Sequence, residues 1–180
     1  MTAEADRRQL LRIARAAVQA RVSGQPAPAG DPPTQALARL AAVFATLHRG
    51  GKLRGCIGHV EADRPLLRVV AECAAAAATE DPRFPPVTVD ELPSLFIELS
   101  ILGSFERVAS LEQIEIGRHG LLVELHRQRG LLLPQVATEW QWDRATFVEQ
   151  TYHKAGLARD AWPAGGATLW RFEAEVFGER

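Results

Sequence analysis

The sequence predicts an α+β fold, an antiparallel sheet flanked by helices. Three observations lead there. Stretches of strand-forming residues are joined by turns too short for a parallel crossover, so the strands they connect must be antiparallel. The helical stretches do not alternate regularly with those strands, as they would in an α/β protein. At 180 residues, with 47% apolar and 24% charged side chains, the chain has enough apolar surface for one domain, or for two subdomains.

Taken in order, residues 4 to 21 place Leu10, Ile13, Ala14, Ala17 and Val18 at helical spacing, with a largely arginine face opposite. Residues 23 to 33, rich in Gly and Pro, read as a flexible connection. Ala42 to His48 and Leu53 to His59 form a hairpin whose turn, Arg49-Gly50-Gly51-Lys52, uses glycines for positive φ. Leu66, Leu67, Val69, Val70, Cys73, Ala74 and Ala77 mark a helix, and its alanines allow close packing on the sheet. That helix must stop before Glu80-Asp81-Pro82-Arg83-Phe84-Pro85-Pro86, where prolines remove amide donors and force extended backbone, leaving Phe84 as a core anchor. Thr88 and Glu91 form a capping box, and Leu95 to Leu102 alternate as a strand. Further strands are expected at Ile114 to Ile116, Leu121 to Leu125 and Gly130 to Leu133, with turns at 117–120 and 126–129. Asp143 caps a final helix that Gly156 ends, and Trp170 to Phe177 is a closing strand.

Composition removes several functions. A formal charge of −1 gives no field to attract nucleic acid or an acidic membrane, and no basic stripe is interleaved with aromatics. Only Lys52 and Lys154 of the 21 basic residues are lysines, the bias of a GC-rich genome rather than of phosphate binding. No apolar run has the ~20 residues of a membrane helix, and the N-terminus is too polar for a signal peptide. The expectation is a cytoplasmic protein with Cys56 and Cys73 as thiols. No Cys-x-x-Cys or His-x-x-x-His spacing supports a metal, and no phosphate loop or dinucleotide fingerprint points to a cofactor, which stays unknown.

The candidate site is Leu53-Arg54-Gly55-Cys56-Ile57-Gly58. Alternation along a strand puts Arg54 and Cys56 on one face, with Leu53 and Ile57 turned to the core. Gly55 and Gly58 mark a bulge or a close approach of ligand or backbone. As chemistry, Cys56 is a nucleophile, Arg54 its activator and anion clamp, and His119 or His59 a base brought in by folding. Asp81 and Arg83 on the proline-rich loop, and Gln135, are further ligand-binding candidates, beside Gly55, Gly58 and His59. Each has a structural alternative. Cys56 could fill a small core position, Arg54 could pair with Glu98 or Asp81, and His119 could face solvent from a turn. His59 could end its strand with its hydrogen bonds satisfied, the loop could serve only to stop a helix, and Gln135 could cap the helix after it.

Several stretches together resemble one family. Val43-Phe44-Ala45-Thr46-Leu47, the motif at 53–58, the Glu80 to Pro86 loop, Gly117-Arg118-His119-Gly120-Leu121, Leu131-Leu132-Leu133-Pro134-Gln135-Val136, Lys154-Ala155-Gly156-Leu157, Ala161-Trp162 and Arg171-Phe172-Glu173-Ala174 are similar to the AMMECR domain and follow its order from about Leu10 to the C-terminus. The resemblance implies one AMMECR-type domain over residues 1–180, built as two unequal subdomains with a cleft between them. It implies no reaction. Bacterial and archaeal members are called AmmeMemoRadiSam system protein A, after a Memo-like protein and a radical-SAM enzyme, which become expected partners. The chain departs from many archaeal members at Thr151-Tyr152-His153, where those read Thr-Cys. Two function classes follow: a small-molecule site, enzymatic or binding-only, centred on the LRGCIG motif, or an interaction module that docks a partner protein or, less readily, nucleic acid.

Overall fold

The computed structural model describes residues 2–26, 32–158, 162–163 and 166–179. The chain mixes helices with antiparallel strands and forms two compact units of unequal size, Met1–Leu102 with Glu175–Arg180, and Gly103–Ala174.

In the first unit, helices α1 (Glu4–Val22) and α3 (Leu66–Thr79) cover one face of a sheet made of β1 (Val43–Arg49), β2 (Lys52–His59) and β3 (Leu95–Leu102). Strand β1 is central and pairs antiparallel with both neighbours. Its alternate residues Val43, Ala45 and Leu47 are fully buried with Leu10, Ala14 and Val18 of α1 and Val70, Ala74 and Ala77 of α3. The opposite face carries Phe44 and Thr46. The last described residues are tied into this unit by partly buried charge. Glu175 accepts from the Thr2 amide and hydroxyl and from Arg7 Nε, while Glu179 takes the Ile97 amide and pairs with Arg15.

The hairpin turn is as expected, with Gly50 and Gly51 at φ +57° and +75°. The second strand departs from simple alternation. Leu47 pairs with Gly55 and His48 with Leu53, so Arg54 is the extra residue of a β-bulge. The bulge reverses the face of everything before it, and Leu53, expected in the core, is instead 40% exposed. Ile57, beyond the bulge, does pack on the core. Phe84 is only half-buried, and Val87 is the loop's deep anchor.

The Gly/Pro connection at 23–33 falls largely on 27–31, outside the described residues. Just after it, the Thr34 hydroxyl accepts the Leu37 amide and starts a short helix, α2 (Gln35–Ala38), that the sequence periodicity does not announce. The Thr88/Glu91 capping box is present and opens a 3₁₀ helix, Val89–Ser94.

The second unit has its own core, in which β5 (His119–Leu125) lies between β6 (Gln128–Leu132) and β7 (Thr168–Gly178), all antiparallel. The two-residue strand β4 (Glu106–Arg107) pairs with β7. Phe147, Val148 and Tyr152 of α5 (Arg144–Lys154) and Ala137 of α4 (Pro134–Glu139) bury against Leu121 and Val123. The Asp143 carboxylate accepts the Thr146 amide at 2.8 Å to start α5, and Gly156 at φ +71° ends it.

One strand expected from the sequence is not formed, and one turn is shorter than expected. Ile114 to Ile116 is not a strand, because the Gln113 side chain folds back on the amides of Ala109 and Ser110 and sets a 3₁₀ turn at Leu111–Gln113. The turn expected at 117–120 ends at Arg118. His119 and Gly120 already belong to β5, opposite Glu173 and Phe172 of β7.

Candidate functional site

The proposed site residues divide between the two units. Arg54, Gly55, Cys56, Gly58, His59, Asp81 and Arg83 lie in the first, and His119 and Gln135 in the second.

Both motif glycines are there for packing. A Cβ on Gly55 would stand 2.1 Å from the Ala77 carbonyl oxygen, so this residue lets the alanine-rich α3 lie directly on β2. A Cβ on Gly58 would meet the Phe44 ring at 2.3 Å. The Phe44 side chain therefore lies across the strand where another residue would hold it away.

Arg54 is gripped by a carboxylate, as the structural alternative foresaw, but the partner is neither Glu98 nor Asp81. Its Nε and Nη2 each lie 2.9 Å from one oxygen of Glu91, a bidentate pair, and Nη1 donates to the Pro85 carbonyl at 2.9 Å. Both side chains are nearly buried, 13% and 11% exposed. Glu91 also takes Arg49 Nη1 and the Thr88 amide. The Arg54 guanidinium, then the Thr88 amide, hold the Glu91 carboxyl down at about 2. The capping box made Glu91 visible in the sequence as a local helix start, but nothing there showed its second role 37 residues from Arg54.

The guanidinium that reaches the Cys56 segment belongs to Arg83. Its Nη2 lies 3.5 Å from the Cys56 carbonyl oxygen and 2.6 Å from Asp81 Oδ2, and the same Asp81 oxygen accepts the Cys56 amide at 2.8 Å. Asp81 is buried, and the hydrogen bonds from Arg83 hold its carboxyl down at about 2. This carboxylate pins the end of α3 to the middle of β2. The Cys56 thiol is half-buried, and the Thr46 hydroxyl, on the paired residue of β1, donates to its sulfur at 3.4 Å. Thr46 is a contributor that the sequence reading passed over. Simple hairpin register would set Thr46 opposite Gly55, and only the bulge at Arg54 moves it opposite Cys56, so no signal in the sequence showed the contact. Cys73, by contrast, is buried in the core, and burial pushes its thiol up to about 12.

His59 Nε2 meets Asp63 Oδ1 at 2.7 Å at the end of β2. Gln135 is the second residue of α4 and half-buried. His119 is 7% exposed, and its Nδ1 accepts the Glu115 amide at 2.9 Å, which leaves the proton of the neutral ring on Nε2. Burial, then the nearby guanidiniums of Arg171 and Arg118, push its pKa below the usual histidine value. Every partner the structure gives His119 lies in the second unit. Among the described residues no group of three or more His, Cys, Asp or Glu side chains could hold a metal ion, and no helix is long and apolar enough to cross a membrane.

The AMMECR1 family profile matches residues 11–177, nearly the whole chain. The chain belongs to the AMMECR1 family. Protein MJ0810 of Methanocaldococcus jannaschii is 46% identical over 144 residues, 76% of this chain and 72% of that protein. Protein TK0174 of Thermococcus kodakarensis is 41% identical over 182 residues, 94% of this chain and 88% of its own length. The crystal structure of uncharacterized protein PH0010 from Pyrococcus horikoshii superposes with a TM-score of 0.89 at 36% identity, covering 96% of this chain and 90% of that one. The fold of this chain is thus shared with PH0010.

Proposed function

We propose that this protein binds or modifies a small molecule at the face of β2 that carries Cys56, with Cys56 as the reacting or contacting group. The observation that carries this reading is the setting of the thiol. Within the motif, Gly55, Gly58 and Arg54 have packing or ion-pair duties, whereas Cys56 is half-buried with a hydroxyl directed at its sulfur. A donor to sulfur and a nearby cation both favour thiolate over thiol. Thr46 supplies the first, and Arg83 supplies the second only in part, since its charge is shared with Asp81 and its nearest contact on Cys56 is the carbonyl. Arg54, neutralised by Glu91, acts instead as the brace that holds the bulge against the 85–86 carbonyls.

The proposed partners are a Memo-like protein and a radical-SAM enzyme, with the chain acting in the cytoplasm as the AmmeMemoRadiSam system protein A. Support for this partnership comes from the family resemblance, not from the site geometry.

The rate of Cys56 alkylation by iodoacetamide against pH tests the site, in a Cys73→Ala background. The expected midpoint lies below the ~8.5 of an unperturbed thiol and rises in Arg83→Ala and in Thr46→Val. A thiol that titrates normally in all three proteins removes the nucleophile and leaves Cys56 as packing. Co-purification with the Memo-like and radical-SAM proteins tests the partnership, and capture of neither would sink it.

A further inference from the structure

The second unit contains a cavity of about 540 Å³ with a strongly charged lining. A volume of this size falls in the range of small-molecule sites and exceeds what a lone ion would fill. Most of its charges already satisfy one another. Arg118 bonds Glu173 through Nε at 2.8 Å and Glu115 through Nη1 at 3.2 Å, and Arg171 bonds Glu106 through Nη2 at 2.6 Å. Arg171 also donates to the Gln113 carbonyl.

Three groups on the lining are left over. Arg144, the first residue of α5, donates Nε to the Ile114 carbonyl at 2.6 Å but forms no ion pair among the described residues. Among the described residues Glu112 is paired with no arginine. Its carboxyl is held below its usual range by the Ser110 side chain, with Arg144 attracting it from farther off. His119 is more than nine-tenths buried, with Nδ1 occupied by the Glu115 amide and no partner for Nε2 among the described residues. The Nε2–H is not one of the buried polar atoms left without a partner, so it reaches solvent on the lining, where a ligand acceptor could replace water.

The leftovers are thus one guanidinium, one carboxylate and one neutral imidazole N–H. An inorganic anion would suit Arg144 but would face the carboxylates of Glu106, Glu112, Glu115 and Glu173. A polyamine would suit those and face three guanidiniums. A molecule bearing both charges is complementary to both.

We propose that this cavity is a binding site for a free α-amino acid, whose carboxylate is taken by Arg144 and the His119 Nε2–H and whose ammonium is taken by Glu112. The site lies wholly within the second unit and does not depend on Cys56. The bidentate geometry open to a guanidinium suits a carboxylate, and the neutral imidazole adds a donor without adding charge.

The test titrates the full chain calorimetrically with each of the twenty L-amino acids, and with inorganic phosphate and putrescine as single-sign probes. The side-chain nitrogen resonances of His119 are followed in parallel, assigned with His119→Gln. At least one amino acid should bind saturably, shift those resonances, and lose about tenfold or more in affinity in Glu112→Gln, as removal of one charge-assisted contact predicts. Glu112 is exposed, so that variant keeps the fold. The assignment is overturned if none of the twenty moves the His119 signals, if Glu112→Gln binds as tightly as the parent, or if phosphate or putrescine shifts the same signals with equal affinity.

Discussion

Charge is handled in opposite ways at the two histidine- and arginine-bearing regions of this molecule. Around the LRGCIG motif the carboxylates are nearly buried and the charges are structural. Arg54 and Glu91, and Arg83 and Asp81, close a bulge and pin a helix end to a strand. Around His119 most of the arginines and glutamates are exposed, and Arg118 and Glu173 are 58% and 59% accessible. There the side chains frame an open cavity rather than hold a backbone in place. A motif dense with unusual residues is therefore not where the unused binding capacity lies. Most of the LRGCIG residues are consumed in building the strand that displays one thiol, whereas ordinary glutamates and arginines leave free groups around a space.

The contrast can be broken most directly with glycine. Gly55→Ala drives a methyl into the Ala77 carbonyl, a backbone atom that cannot turn aside, and should cost about 3 kcal/mol or more in urea unfolding. Gly120→Ala meets the Phe172 ring at 2.3 Å, a side chain that can rotate at some strain, and should cost about 1–2 kcal/mol. Equal costs at both positions would show that β2 has more freedom to shift than its contact with α3 allows.

Next in size are the ion pairs. Glu91→Ala strands Arg54 in a nearly dry site and should destabilise by about 3 kcal/mol. Glu173→Ala, in the exposed network, should stay within about 0.5 kcal/mol. Hydrogen exchange of the β2 and β5 amides would show whether each loss stays in its own unit.

Acid should separate the regions again. Asp81 and Glu91 are held at about 2 in the fold against ordinary values of 3.8 and 4.5, so they bind fewer protons folded than unfolded. Their stabilisation is complete above about pH 5 and is lost as pH falls through the folded values near 2. Asp81→Asn with Glu91→Gln should flatten that acid limb. His119 is also depressed, so its neutral form favours the fold at pH 7 and the benefit declines as pH falls below 6.5. His119→Gln should remove this smaller slope between pH 7 and 5 without altering the limb below pH 4. An unchanged slope would mean that His119 titrates as it does in the unfolded chain.

Much of this molecule was legible in the order of its residues. Periodicity located α1, α3 and β3 to within a residue or so, because each buries one face along its whole length and repetition records that face. Glycines 50 and 51 announced their turn, Asp143 its cap and Gly156 its helix end, since positive φ and capping are local demands. The family could also be read, because its motifs keep their order. What stayed hidden depends on contacts between distant segments. The bulge at Arg54 exists because Glu91 and the Pro85 carbonyl pull its side chain into place, and a bulge reverses the parity that placed Leu53 in the core. His119 looked like a turn residue until pairing with β7 drew it into β5, where burial neutralises its ring. Local preference is written residue by residue, and so the sequence determined the elements, the turns and the family. The counter-ion of Arg54, the hydroxyl facing Cys56 and the cavity beside His119 were decided only by tertiary structure, since each joins side chains that no spacing along the chain relates.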